Sequence, residues 1–214
     1  MRLYIIRHGE TSWNVERKLQ GQTGADLNEK GIKLAEITRD ALADMKFDLC
    51  ITSPALRAKH KAEIIMQGHD APIIEDGRLI EISFGPWEGK KALGENPEIP
   101  PEQFGKFFKD AMNYIPPEGG ETIQSMIDRS EDFLRELAER EEYQDKNIVL
   151  STHGCATRAL LYQMYEDHSD FWHGTVPPNC AVNIVDFVDG KYVLTAEDQI
   201  YYGDQFKVDA YFKK

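Results

Sequence analysis

A chain of 214 residues, 41% of them hydrophobic, is long enough for one sizeable core and short for two ordinary domains, so one domain over 1–214 is expected. Its 25 Lys and Arg against 37 Asp and Glu give a net charge of -12, which argues against nucleic acid or an anionic membrane surface as the main partner. Three cysteines (Cys50, Cys155, Cys180) without metal-type spacing, no secretion signal and no run near the roughly 20 apolar residues of a membrane span together predict a cytoplasmic protein.

In chain order, Leu3-Tyr4-Ile5-Ile6 reads as a short buried strand that delivers Arg7-His8-Gly9-Glu10 to its carboxyl end. A loop through Gly21 and Gly24 leads to a helix whose apolar stripe is Ile32, Ala35, Leu42 and Met45. Residues 48–52 form a second buried strand. Ser53 and Pro54 then supply an N-cap and a first-turn proline for a helix running to about Gly68. Pro72 to Glu75 is a third strand. The stretch from 79 to 118 is rich in proline and glycine, with a short aromatic helix around Phe104, Phe107 and Phe108, and reads as a lid or insertion, chiefly over 85–118. The longest helix runs from Glu121 to about Gln144, with Ile123, Met126, Ser130, Phe133 and Leu137 on one face. Asn147 to Thr152 is a buried strand ending at His153-Gly154, followed by a helix through Met164. Cys180 to Phe187 and Lys191 to Ala196 flank an Asp189-Gly190 hairpin turn. The last eighteen residues form a polar, aromatic tail, either docked or frayed.

Alternating strands and helices predict an α/β three-layer sandwich, a mostly parallel central sheet with helices on both faces and an antiparallel edge. In a parallel sheet the strand carboxyl ends share one edge, so His8, the segment Ser53 to Arg57 and His153 should meet there. Arg57 in the first turn of its helix places positive charge at the positive end of the dipole, an arrangement that suits a bound anion; the alternative is a surface arginine paired with Glu88. Glu81 lies in a connecting segment, where a carboxylate can donate a proton to a leaving oxygen and later take one from water. Glu88 competes for that role, and Phe84 or Trp87 would desolvate whichever carboxylate they touch. His168 and His173 with Asp167 and Asp170 match no defensible ligand spacing and read as a solvated loop. Cys155 reads as a buried filler or a reactive thiol.

Taken in order, Arg7-His8-Gly9-Glu10-Thr11 with Trp13-Asn14, Ser53-Pro54 with Arg57-Ala58, Glu81 with Gly85 and Trp87-Glu88-Gly89, His153-Gly154 and Asn179-Cys180 resemble the histidine phosphatase superfamily, also called phosphoglycerate mutase-like, and more its phosphatases than its mutases. The resemblance implies that His8 is a nucleophile that becomes phosphohistidine. It implies further that Arg7, Arg57 and His153 bind the phosphoryl oxygens with help from Asn14, and that Glu81 is the general acid and base. Neither metal nor cofactor is needed for that chemistry. The implied activity is hydrolysis of phosphomonoesters of small metabolites. A cofactor-dependent phosphoglycerate mutase is the alternative, and a non-catalytic phospho-ligand binding protein a more distant one.

One departure stands out. Family members commonly carry threonine four residues after the second arginine, where this chain has Lys61, expected to face outward or the site edge; His60, Lys90 and Lys91 are further candidates for a second anionic group on the substrate. Specificity should come from 85–118 and from the tail beyond Tyr201. A homodimer is expected only on the general frequency of such assemblies.

Overall fold

The computed structural model describes residues 1–206, and the remainder of the expected tail lies outside the described residues. The elements in order are β1 (Arg2–Arg7), α1 (Ser12–Val15), α2 (Glu29–Ala41), β2 (Leu49–Thr52), α3 (Leu56–Ile65), β3 (Ile73–Glu75), α4 (Pro101–Lys109), α5 (Ile123–Glu139), β4 (Asn147–Thr152), α6 (Gly154–Leu161), β5 (Val182–Val188) and β6 (Lys191–Gln199). The strands make one sheet in the order β3-β2-β4-β1-β5-β6, with the first four parallel, β5 antiparallel to β1 and β6 antiparallel to β5.

The period of two along β1 decides the layers. Leu3 and Ile5 join Leu49, Ile51, Ile148 and Leu150 against Phe133, Leu134 and Leu137 of α5 and Leu160 and Leu161 of α6. Tyr4 and Ile6 face the other way, onto Leu42, Phe47 and the α3 residues Ala62 and Ile65. The expected three-layer architecture is therefore what these residues build. The aromatic segment before α5 has a core of its own, in which Phe104, Phe107, Tyr114 and Trp172 pack against one face of α5 and the start of α6.

Several boundaries differ from the sequence reading, each for a local reason. Asn28 caps α2 by accepting from Gly31 N at 2.7 Å, so that helix begins and ends earlier, and Met45 lies beyond it, 41% exposed. Ser53 is not the N-cap of α3: Ala55 occupies that place without a side-chain bond, while the Ser53 hydroxyl accepts from Ala55 N at 3.3 Å and lies 2.7 Å from His153 Nε2. The hairpin turn is as expected, with Asp189 and Gly190 both at positive φ.

Gly9 and Gly31 weld the end of β1 to the start of α2. A Cβ on Gly9 would stand 2.5 Å from Gly31 O, and one on Gly31 would overlap the backbone of Glu10. Glu10 completes the joint by accepting from Asn28 Nδ2 at 3.0 Å and pairing with Lys30 at 3.0 Å. We predict that Gly31→Ala destabilises the protein by about 1–3 kcal/mol in urea unfolding. Gly105→Ala, inside α4 where a Cβ meets nothing within 4 Å, should instead stabilise by about 0.5–1 kcal/mol.

Candidate active site

β1, β2 and β4 run parallel side by side, with Arg7 level with Thr152 and Thr52 level with Ser151. The residues that follow each strand therefore converge: His8 after β1, Ser53 and Arg57 after β2, His153 after β4. The His8 and His153 rings lie 5.3 Å apart between centroids, both fully buried.

His8 is held from its backbone outward. Its N–H donates to Thr152 O at 2.9 Å, and its carbonyl accepts from Asn179 Nδ2 at 3.1 Å and Cys180 N at 3.3 Å. Its Nδ1 is 2.7 Å from Gly9 O, an atom that only accepts, so Nδ1 carries the proton and Nε2 keeps its lone pair. Burial, then the charges of Arg57, Arg7 and Lys61, push this imidazole well below its ordinary 6.5 despite the Gly9 bond, so it stays neutral. Burial followed by Arg57 does the same to His153. His153 Nε2 lies 2.7 Å from Ser53 Oγ, while Nδ1 is buried with no protein partner among the described residues.

The cations around this pair are held by carbonyl oxygens. Arg57 donates to Gly21 O and Thr23 O, both at 2.7 Å, and Arg7 donates to Pro177 O. The pairing of Arg57 with Glu88 is not what forms. Glu88 instead accepts from Gln22 N, Thr23 N and Phe84 N and from the Thr23 hydroxyl at 2.6 Å, clamping the 20–24 loop from its other side. Glu88 does not line the cleft, whereas Glu81 does.

Glu81 sits across the cleft at the amino end of α6. Its carboxylate accepts from Cys155 N at 3.1 Å, Ala156 N at 3.0 Å and Ile82 N at 3.0 Å. Trp87 is not its neighbour but turns edge-on to Phe104. The segment bearing Glu81 is tied down at three successive carbonyls: Arg129 donates to Arg78 O and Ile80 O, and Thr152 Oγ1 to Leu79 O at 2.8 Å. Gly154 leaves room between the two sides, since a Cβ there would come 3.5 Å from Arg7 Nε and 3.7 Å from Glu81 Oε2 and strike Val176.

The resulting cleft, about 610 Å³ with its mouth, is lined by Arg7, His8, Asn14, Arg57, Glu81 and Gly154 at its base. Asn14 also closes a capping box with Thr11. His153 lies just behind this lining, beside His8. All six expected site residues are thus brought to one place.

Other expectations change. Lys61 faces neither outward nor the cleft: it is fully buried beneath β1, donating to Ile6 O at 2.9 Å, with its ammonium lowered to about 8 by burial. Its neighbours Ala58, Ala62 and Ile65 on the same helical stripe were the signal that it points inward. His60 pairs with Asp26 at 3.0 Å, and neither Lys90 nor Lys91 lines the cleft. Tyr201 and Tyr202 do not reach it either; Tyr202 donates to Asn179 O and packs with Leu34 and Cys180. His168 and His173 stack on different tyrosines, Tyr162 and Tyr165. Cys155 is buried with its thiol pushed up by burial, which makes it an unreactive filler. Arg129, one charge among many on α5, carries no sequence signal for its role in holding the Glu81 segment.

Two buried neutral imidazoles, two guanidiniums and a carboxylate are gathered at one cleft, a set of groups suited to phosphoryl transfer. The chain belongs to the histidine phosphatase superfamily (branch 1), whose sequence model matches residues 3–198. It is 31% identical over 188 residues to the uncharacterized phosphatase PhoE of Bacillus subtilis, covering 88% of this chain and 89% of that protein. It is 31% identical over 193 residues to a probable 2-carboxy-D-arabinitol-1-phosphatase of Arabidopsis thaliana, 87% of this chain but only 38% of that longer protein. The solved structure of Bacillus stearothermophilus YhfR superposes with a TM-score of 0.83 at 29% identity, covering 93% of this chain and 97% of its own. The enzyme class is phosphoric monoester hydrolase.

The titrations above fix two pH responses. Below about 6.5 the unfolded histidines take up protons that folded His8 and His153 refuse, so stability is full above that pH and falls below it. The expected slope is about 1.4 kcal/mol per pH unit for each histidine once its unfolded form is charged, and His8→Gln should flatten the curve by about one proton in urea titrations. Lys61 is ordinarily protonated to 10.5 and here only to about 8, so its burial cost is fully present below 8 and vanishes as pH rises to 10.5. Lys61→Met should therefore be the more stable protein at pH 7, by on the order of 2–4 kcal/mol, with the advantage lost by pH 10.5.

Proposed function

We propose that this enzyme hydrolyses phosphomonoesters of small metabolites through a phosphohistidine on His8. The observation that carries the reading is the His8 Nδ1 to Gly9 O bond at 2.7 Å, which leaves Nε2 unprotonated and nucleophilic in a cleft it shares with Arg7 and Arg57. In the first step Nε2 bonds to phosphorus as the ester oxygen departs, and Glu81 gives that oxygen a proton. In the second, Glu81 takes a proton from water as the water oxygen displaces Nε2, releasing inorganic phosphate. Arg7, Arg57 and Asn14 hold the equatorial oxygens, and the buried His153 Nδ1 supplies a further donor when Ser53 donates to Nε2.

Nothing in these steps calls for a metal or cofactor. The three cysteines are free and buried, which supports a cytoplasmic setting, and a soluble small-molecule substrate suits the cleft. Brief mixing with phenyl phosphate should give an acid-labile, base-stable phosphoprotein that His8→Ala does not form. Glu81→Gln should lower kcat by about 10²–10⁴. Label retained in His8→Ala would move the nucleophile elsewhere, and isomerisation of 3-phosphoglycerate outrunning phosphate release with a bisphosphoglycerate primer would make the enzyme a mutase.

A further inference from the structure

Beyond the phosphate pocket the cleft changes character. Its lining also takes in the apolar residues Leu19, Phe84, Leu93, Phe104 and Val176 and the basic pair Arg17 and Lys18. Lys18 pairs with Glu16 at 2.6 Å. Arg17 is different. Among the described residues every other arginine donates to a carboxylate or a carbonyl: Arg2 to Asp186, Arg39 to Asp40, Arg78 to Asp76, Arg129 to Glu121, Arg135 to Asp132, Arg140 to Glu136, Arg158 to Glu197 and Asp198, and Arg7 and Arg57 to the carbonyls above. Arg17 has no such partner within the described residues, in a chain whose net charge of -12 offers carboxylates freely.

Its placement is also built. Arg17 holds a left-handed backbone at φ 57°, its carbonyl accepts from Ala92 N at 3.1 Å, and the next two residues are pinned to the 89–91 strand-like segment through the Lys18 to Lys91 bridge and the Leu19 N to Lys90 O bond at 3.0 Å. Gly94 makes room for the side chain, since a Cβ there would come within 3.2 Å of Arg17 Cδ. Holding a non-glycine residue in that conformation costs about 1 kcal/mol or more, a cost consistent with aiming a side chain at the cleft.

We infer that Arg17 is a specificity residue that binds a second anionic group, a carboxylate, carried by a phosphomonoester whose intervening body is apolar. One uncompensated guanidinium matches a monoanion, and a planar fork matches a carboxylate in particular. The apolar residues that share this lining favour an aryl or alkyl body for the substrate. The inference rests on the phosphatase reading above and adds a substrate class to it.

The test compares phenyl phosphate with its 2-, 3- and 4-carboxylated forms on the wild-type enzyme, Arg17→Met and Arg17→Lys. Arg17→Met should lower kcat/KM about ten-fold or more for at least one carboxylated isomer, mainly through KM, while phenyl phosphate changes less than about two-fold. Arg17→Lys should recover part of the loss. An equal effect on all four substrates, or none on any carboxylated one, overturns the inference and leaves the phosphatase reading standing. A wild-type enzyme that releases no phosphate even from phenyl phosphate overturns both.

Discussion

Buried positive charge held on backbone carbonyls is the condition on which this structure turns. Arg7, Arg57 and Lys61 are each at most 4% exposed, and the hydrogen bonds that hold them go to the carbonyls of Pro177, Gly21, Thr23 and Ile6. Burial first and these cations second keep His8 and His153 neutral, and the proposed mechanism uses the same cations to hold a phosphoryl group. In a protein of net charge -12 their field has to be local, and it is made local by burial.

Such a site is costly to assemble, and much of the surrounding fold reads as the means of holding it. Glycine at 9 and 31 brings the β1 end against α2; Glu88 and Arg57 grip the 20–24 loop from opposite sides; Arg129 and Thr152 secure the segment that carries Glu81. Arg158, 1% exposed, pairs with Glu197 and Asp198 and also donates to Thr175 O, steadying the stretch that reaches Pro177 and so Arg7. Each of these contacts lies away from the reacting atoms, yet each sets where a catalytic or phosphate-binding group stands.

Some of this was legible in the chain. Arg7-His8-Gly9-Glu10 and His153-Gly154 follow apolar runs, and the parallel sheet those runs imply is enough to predict that they meet. Glu81 against Glu88 was not decidable from pattern, because both are acids in one irregular stretch. The outcome depends on which carboxylate finds the free N–H groups at the start of α6 and which finds the 22–23 amides. Ser53 looked like a cap because Ser-Pro before an apolar helix has that local meaning; its hydroxyl does take the Ala55 N–H just before the helix, and it also meets a histidine a hundred residues away.

Sequence by itself determined the sheet, its layers and the meeting of His8, Arg57 and His153 at one sheet edge, because strand periodicity and the residues at strand ends are local properties of the chain. Tertiary structure alone decided that Lys61 lies beneath the site, that Arg129 positions Glu81 and that Arg17 has no acidic partner among the described residues. Those roles depend on distances between segments far apart in sequence, and a charged residue carries no local mark of whether its partner will be a carboxylate, a carbonyl or a substrate.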